Sequence, residues 1–184
     1  MSYRCYATPP PDGSSHGGTA VLVHTSVEHS AVPLVTGLQA TAVSVVLGKR
    51  FTVCSLYLPP GLEADRGPFT ALELWDLIRQ LPPPFVLLGD FNAHNPLWGG
   101  SRVDRWGSII GDVLDDGSVS LLNDGSATRF DLVNNSSSAV DLSLCSPSLV
   151  LEFVWSVRDS LYGSDHFGPS LSLSVFCFSE VEDG

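Results

Sequence analysis

Residues 85–92 read Phe85-Val-Leu-Leu-Gly-Asp-Phe-Asn92, an apolar run that ends in a glycine, a carboxylate and, two residues later, a carboxamide. A short uninterrupted apolar run is typical of a strand buried on both faces of a sheet. In α/β proteins the catalytic and ligand-binding residues usually lie at the ends of such strands. Asp90 and Asn92 therefore stand where a site for a hard metal ion or a phosphate is expected, although an ordinary turn uses the same residue types.

The composition is that of one globular domain. The 184 residues include 43% hydrophobic and 16% charged residues, which suits a sizeable core and not a disordered chain. We expect a single domain over 1–178 and a solvated acidic tail over 179–184. No run approaches the length of a membrane span, and the N-terminal residues resemble neither a signal peptide nor a transit peptide. The four widely spaced cysteines favour reduced thiols in an intracellular compartment over zinc ligands or disulfides.

The net charge limits how this chain can bind nucleic acid. It carries −11 at pH 7, with a single lysine and eight arginines, whereas proteins that wrap duplex DNA usually present a basic face. Any DNA contact must therefore depend on a few local arginines, on backbone amides or on a bound cation, and we expect it to be weak.

The hydrophobic pattern predicts an α/β fold with more strands than helices. Helices are predicted over 69–81 and 104–114, and a turn over 134–138. Strands are predicted at 19–24, 41–47, 51–58, 85–90, around 121–122 and 128–130, and at 140–144, 151–157 and 171–175. In the strand 51–58, alternation places Phe51, Val53 and Tyr57 on one face. Helices that lie between strands predict two sheets covered by helices.

Four places at strand ends or on strand faces carry side chains suited to chemistry: Tyr57, Asp90 with Asn92, Asp141, and Ser164-Asp165-His166. Each alone has an ordinary structural explanation. Together they supply what phosphodiester hydrolysis requires, which is an activated water, neutralisation of the phosphate and a proton for the leaving oxygen.

Individual roles follow from the residue types. Asp90 can hold and deprotonate a water, and Asn92 can orient the water or the phosphate without adding charge. His166 can donate to a phosphate oxygen, best when a carboxylate such as Asp141 pairs with it. Asp165 offers an oxygen ligand of the kind Mg²⁺ prefers.

In this order the pieces resemble the endonuclease/exonuclease/phosphatase superfamily. The matching segments are Leu56-Tyr-Leu-Pro59, Gly89-Asp-Phe-Asn92, Val140-Asp-Leu142 and Ser164-Asp-His166. The longer segments Gly89 to Gly99 and Leu122 to Phe130 are similar to the endonuclease domain of LINE-type (non-LTR) retrotransposons. The resemblance extends from about residue 17 to residue 175.

The resemblance implies a four-layer sandwich of two packed mixed β-sheets flanked by helices, and Mg²⁺-dependent nicking of DNA, with Mn²⁺ as a substitute ion. It implies that Asp90, with Asn92 beside it, orients and activates the water, that His166 paired with Asp141 contacts the phosphate, and that Tyr57 assists there. It further implies Asp165 as a metal ligand, Thr128 near the substrate, a nuclear site of action and, in a full-length element, a fused reverse transcriptase. His94, Trp98 and Asn123 are interpreted as turn and packing residues.

The chain also departs from that family. Members begin with a strand that carries an asparagine, then a helix and a strand ending in Gln-Glu, whose glutamate is the chief metal ligand. This sequence resembles the segment just beyond it, so we expect an N-terminally truncated domain whose first sheet lacks its N-terminal strands. Glu28, Glu63 and Glu73 stand in the wrong contexts to replace that ligand.

Three functions remain open on these grounds. The first is a Mg²⁺-dependent DNA endonuclease domain. The second is a catalytically impaired remnant of that domain, a non-catalytic binding module. The third keeps the superfamily but makes the chain a phosphatase or a lipid phosphodiesterase, which its acidity permits.

Overall fold

The computed structural model describes residues 2–10, 17–60 and 71–174. Within these ranges the chain forms two α-helices and twelve strands, in the order β1 (Tyr3–Thr8), β2 (Thr19–His24), β3 (Glu28–Val32), β4 (Gln39–Leu47), β5 (Lys49–Tyr57), α1 (Ala71–Gln80), β6 (Phe85–Asp90), α2 (Arg105–Asp115), β7 (Ser120–Leu121), β8 (Arg129–Asp131), β9 (Ser136–Ser138), β10 (Asp141–Cys145), β11 (Phe153–Val157) and β12 (Pro169–Leu173). Short 3₁₀ turns cover Pro96–Trp98 and Pro147–Leu149.

A six-stranded sheet in the order β3-β4-β5-β6-β10-β7 forms the centre. β5 and β6 are parallel, as their connection through α1 requires, and the other neighbours in this sheet are antiparallel. Gly48 turns the chain between β4 and β5, where Leu47 pairs with Lys49. The prolines at 82–84 stop α1 before β6 begins, because proline cannot continue a helix.

The two faces of this sheet bury different sets of side chains. α1 and α2 cover one face with the stripes Leu74, Leu77, Ile78 and Trp106, Ile110, Val113. On that face the strands contribute Ala42, Cys54, Leu56, Leu87, Leu142 and Leu144. The alternate strand residues, among them Val43, Phe51 and Val86, point to the opposite face and form a second cluster.

Two antiparallel hairpins, β1–β2 and β11–β12, supply the layer against that second face. Val23 of β2 belongs to the second cluster, and Phe153 of β11 packs against it. The rings of Phe51 and Phe153 meet edge to face with centroids 6.1 Å apart. Trp155 donates from Nε1 to Ser143 Oγ at 3.0 Å, which connects this layer to β10.

The predicted α/β fold of packed mixed sheets with flanking helices is confirmed. Three strands were not predicted, β1, β3 and β9. β9 lies inside the segment predicted as a turn, and its three serines pair with β8 through the backbone alone, which leaves no hydrophobic pattern to detect. The acidic tail and the residues 69–70 of the first predicted helix lie outside the described residues. Within the described ranges, no helix is long and apolar enough to cross a membrane.

Candidate active site

Tyr57, Asp90 and Asp141 lie in one row across the central sheet. In the strand register, Asp90 is the partner of Tyr57 on β5 and of Asp141 on β10. All three share the alternation of Phe51 and Val86, so they lie on the face opposite the helices. Three of the residues that the sequence singled out are therefore brought together by strand pairing alone.

Gly89 lets β6 approach β5 closely enough for this row to form. Its φ is +152°, and a Cβ at this position would lie 1.8 Å from the carbonyl oxygen of Leu56. Beyond it, the amide of Leu58 donates to Asp90 O at 2.9 Å. A side chain at position 89 would separate the strands at the point where Tyr57 and Asp90 face each other.

Asn92 closes the turn after β6 and fixes Asp90. Its φ of +46° is in the left-handed region, which asparagine tolerates better than most residues. Its backbone amide donates to Asp90 Oδ1 at 3.1 Å, and its side-chain Nδ2 donates to the carbonyl of Leu58 at 2.9 Å. Asn92 thus orients the carboxylate in addition to lying beside it.

His166 pairs with Asp141, as predicted. Its Nδ1 lies 2.8 Å from Asp141 Oδ2. Because a carboxylate accepts only, this nitrogen carries the proton and Nε2 is the nitrogen left for a ligand. The backbone amide of His166 donates to Ser164 Oγ at 3.0 Å. The hydrogen bond to Asp141, joined by the charges of Asp141, Asp90 and Asp165, raises the pKa of His166 above its ordinary value of 6.5.

Thr128, predicted to lie near the substrate, holds the backbone behind Asp141. It is fully buried, and its hydroxyl oxygen accepts from the backbone amides of Val140 and Asp141 at 3.1 and 3.0 Å. Its carbonyl accepts from Phe167 N at 2.7 Å. Through these contacts Thr128 positions Asp141 and the segment that carries His166, and its predicted place near the substrate stays a prediction.

Asp165 lies at the rim, with its side chain 52% exposed. Arg129 Nε donates to Asp165 Oδ2 at 3.1 Å, and this hydrogen bond is the main cause of the lowered pKa of Asp165. Arg129 also forms an isolated antiparallel bridge with His166. The sequence interpretation overlooked Arg129, because a lone arginine between two short strands carries no signal of its own.

Burial and a neighbouring carboxylate disfavour the ionised form of Asp90. Burial raises the pKa of Asp90 above its ordinary value, and the negative charge of Asp141 raises it further, while the amide of Asn92 and the ring of His166 lower it. Two neighbouring carboxylates in a half-buried place favour a proton or a cation between them.

The other residues interpreted as turn and packing residues have definite partners. Trp98 is buried, with Nε1 donating to Ala93 O at 3.0 Å. Asn123 bridges β10, donating to Asp141 O and accepting from Ser143 N. His94 pairs with Asp104 through Nδ1 at 2.8 Å.

Gln39 of β4 is the register partner of Tyr57 and extends the row by one strand. Counting back from the Gly48 turn would have found it.

Residues 51–169 match the model of the endonuclease–reverse transcriptase family. The chain belongs to that family. It is 30% identical over 137 residues to the RNA-directed DNA polymerase from mobile element jockey of Drosophila funebris, which covers 70% of this chain and 14% of that protein. The chain thus spans about one seventh of the length of this relative.

Solved structures share the fold of this endonuclease–reverse transcriptase family domain. The endonuclease domain of TRAS1, a telomere-specific non-LTR retrotransposon, matches with a TM-score of 0.74 and 24% identity, over 93% of this chain and 78% of that chain. The 3′-5′ exonuclease NExo from Neisseria meningitidis matches with a TM-score of 0.67 and 16% identity, over 94% and 80% of the two chains.

The donor set fits Mg²⁺ in kind, although few donors are grouped. Asp90 and Asp165 offer carboxylate oxygens, and Mg²⁺ is commonly held by one or two carboxylates while it keeps several waters. Among the described residues no group of three or more His, Cys, Asp or Glu is placed to hold a metal ion. Asp165 is moreover engaged by Arg129. A bound Mg²⁺ would depend on water and substrate for most of its coordination.

The His166–Asp141 pair should make the stability of the domain depend on pH. Since the folded pKa of His166 is raised, the pair stabilises the protein fully below pH 6.5, the ordinary pKa of the ring, and this contribution is lost as the pH rises through the folded pKa. We expect His166→Gln to lower the free energy of unfolding more at about pH 5.5 than at about pH 9. Urea unfolding of both proteins at each pH measures this, and an equal loss at the two pH values would contradict it.

Proposed function

We propose that this chain is the DNA-nicking endonuclease domain of a LINE-type retrotransposon, which hydrolyses phosphodiester bonds with Mg²⁺ as cofactor. The observation that carries the proposal is the row of Tyr57, Asp90 and Asp141 with His166 hydrogen-bonded to its end. Membership of the endonuclease–reverse transcriptase family supports it.

Each side chain has a task that its surroundings favour. Asp90, whose pKa is raised by burial and by Asp141, is suited to take a proton from the attacking water, because a base works best when its pKa approaches the working pH. Asn92 holds Asp90 in place through its amide. The Tyr57 hydroxyl can donate to the phosphate from the neighbouring strand.

His166 is suited to meet the negative phosphate. With Nδ1 held by Asp141 and the pKa of the ring raised, the protonated ring donates from Nε2 to a phosphate oxygen or to the leaving oxygen. Mg²⁺, held by Asp165 and Asp90, would neutralise charge that develops on the phosphate. In a full-length element the domain would act beside a reverse transcriptase, since the jockey relative is named an RNA-directed DNA polymerase. We further propose the nucleus as its place of action.

Relaxation of supercoiled plasmid tests the proposal. We expect the protein to convert supercoiled plasmid to open circles with Mg²⁺, with Mn²⁺ as a substitute, and not in EDTA. His166→Ala should slow this by about 10²- to 10⁴-fold, the usual contribution of a positioned proton donor. His24→Ala is the matched control, because the ring of His24 contacts Tyr3 within the β1–β2 hairpin and Ser26 in the turn that follows it.

One observation favours a second candidate, a binding module without catalysis. Within the ranges that the structure describes, no group of three or more His, Cys, Asp or Glu is placed to hold a metal ion. The carboxylate of Asp165 is also paired with Arg129, which competes with a metal ion for it. Duplex binding without any nicking, or nicking equal in the wild type and His166→Ala, would support this candidate over the enzyme.

A further inference from the structure

A polar cleft of about 320 Å³ lies between the segment that follows β6 and the β8–β9 hairpin. His94, Gly99, Gly100 and Arg102 line one side, and Arg129 with the serines 136–138 lines the other. Arginine, histidine and hydroxyl groups around one space are the donors that phosphate oxygens accept from. The mechanism proposed above uses none of the residues on the first side.

His94 is held rigidly at this cleft. Asp104 accepts from His94 Nδ1 through Oδ2 at 2.8 Å, while its Oδ1 accepts from Gly107 N at 2.7 Å and caps α2. The backbone amide of Asp104 donates to His94 O at 3.1 Å. A Cβ at Gly107 would lie 1.9 Å from His94 O, so the first turn of α2 packs directly on this residue. Nε2 is the ring nitrogen left for a ligand, and it donates a hydrogen bond when the ring is protonated.

The charges of the cleft differ from those of the rest of the chain. The net charge is −11, and away from this cleft Lys49, Arg50 and Arg79 are paired with acidic side chains. Arg102 is exposed and makes no ion pair with any residue the structure describes. The one acidic lining residue, Asp131, accepts from Val133 N and from Asn134 N and Nδ2 within its own turn. Arg102 is therefore the cation in this cleft that no acidic side chain of the described residues neutralises.

Both walls of the cleft continue into the active site. Arg129 bridges to His166 and binds Asp165, and His94 follows Asn92 by two residues along the chain. Because Arg129 both lines the cleft and bridges to His166, a DNA strand whose scissile phosphate meets His166 has further phosphates on either side, every ~3.4 Å of helix axis, that can extend toward the cleft.

We propose that this cleft binds a phosphate of the DNA strand next to the scissile one, with Arg102 supplying the charge and the protonated ring of His94, held by Asp104, donating a hydrogen bond from Nε2. This rests on the proposed function, since it requires DNA as the substrate. Arg102, His94 and Asp104 would then fix the position of the DNA strand relative to His166 in a domain whose net charge is negative.

Fluorescence anisotropy with a fluorescein-labelled 20-base-pair duplex in EDTA tests this without cleavage. Arg102→Ala should weaken binding about tenfold and lower the slope of log K against log salt by about 0.9, the loss of one phosphate contact. Arg50→Ala is the control. It also removes one positive charge, but at the start of β5, far along the strand from Tyr57, where Arg50 pairs with Glu28. We expect it to change neither the affinity nor the salt slope appreciably.

Asp104→Asn isolates the role of His94. Asparagine keeps the oxygen that caps α2, but its neutral carboxamide does not stabilise a protonated His94 ring as the carboxylate does. We expect an unchanged melting temperature and about threefold weaker duplex binding, the size of a modest hydrogen-bond loss. If the wild type binds the duplex while Arg102→Ala and Arg50→Ala bind alike in affinity and salt slope, the cleft proposal is overturned and the proposed function stands. If the wild type binds no duplex and nicks no plasmid, both fall.

Discussion

Asp90→Asn is expected to abolish nicking and to make the domain more stable. The activity should fall by about 10²- to 10⁴-fold, because the amide cannot accept the proton of the attacking water. The stability should rise because the pKa of Asp90 is raised in the folded protein by burial and by Asp141, which means that the ionised carboxylate disfavours folding. A neutral amide removes that cost while its oxygen still accepts from Asn92 N.

The stability gained by Asp90→Asn should depend on pH. A raised folded pKa penalises the wild type above that pKa, and the penalty vanishes below pH 3.8, the ordinary pKa of the group. The gain in melting temperature of Asp90→Asn should therefore be present at neutral pH and disappear in acid. Asp112→Asn, an exposed change on α2, serves as control for both assays. Loss of activity together with loss of stability at neutral pH would contradict the argument.

Gly89→Ala should prevent the domain from folding stably. The new methyl group would lie 1.8 Å from the carbonyl oxygen of Leu56, a backbone atom in a neighbouring strand, so β5 and β6 must separate where the row of site residues begins. We expect a loss of more than about 4 kcal/mol in the free energy of unfolding, which is exceptional for one methyl group.

Gly48→Ala is the matched control for that change. Its φ of +73° is also positive, but nothing lies within 4 Å of the added carbon, so it should cost only the backbone strain of about 1–2 kcal/mol. Urea unfolding measures both variants. Similar losses for the two would show that backbone strain, and not the contact with Leu56, makes Gly89 necessary.

Local patterns in the sequence predict the parts of the site that depend on single strands. The apolar run before Asp90 predicts β6, and alternation in β5 predicts the face that carries Tyr57, as the two buried clusters confirm. The order of short motifs led to the expected pair of Asp141 with His166, because those motifs together imply one known chemistry. For β6, for the face of β5 that carries Tyr57 and for the pair of Asp141 with His166, the local sequence pattern and the fold agree.

Contacts between segments that are distant in sequence were beyond the reach of these patterns. The pairing of Arg129 with Asp165 and that of His94 with Asp104 depend on how the β8–β9 hairpin and the start of α2 are placed. Neither side chain belongs to a periodic pattern. Thr128 illustrates the same limit, because a buried threonine that binds two backbone amides is indistinguishable in sequence from one that faces a substrate.

The pairing of Asp90 with Asp141 also determines when, during synthesis of the protein, the proposed active site is assembled. Asp141 leaves the ribosome about fifty residues after Asp90, which takes some seconds at ~5–20 residues per second, and His166 follows later still. During that interval β6 has an open edge where β10 will pair, a place where nascent chains can stick to one another. A translation product that stops before β10 would carry Asp90 and Asn92 and yet be chemically silent.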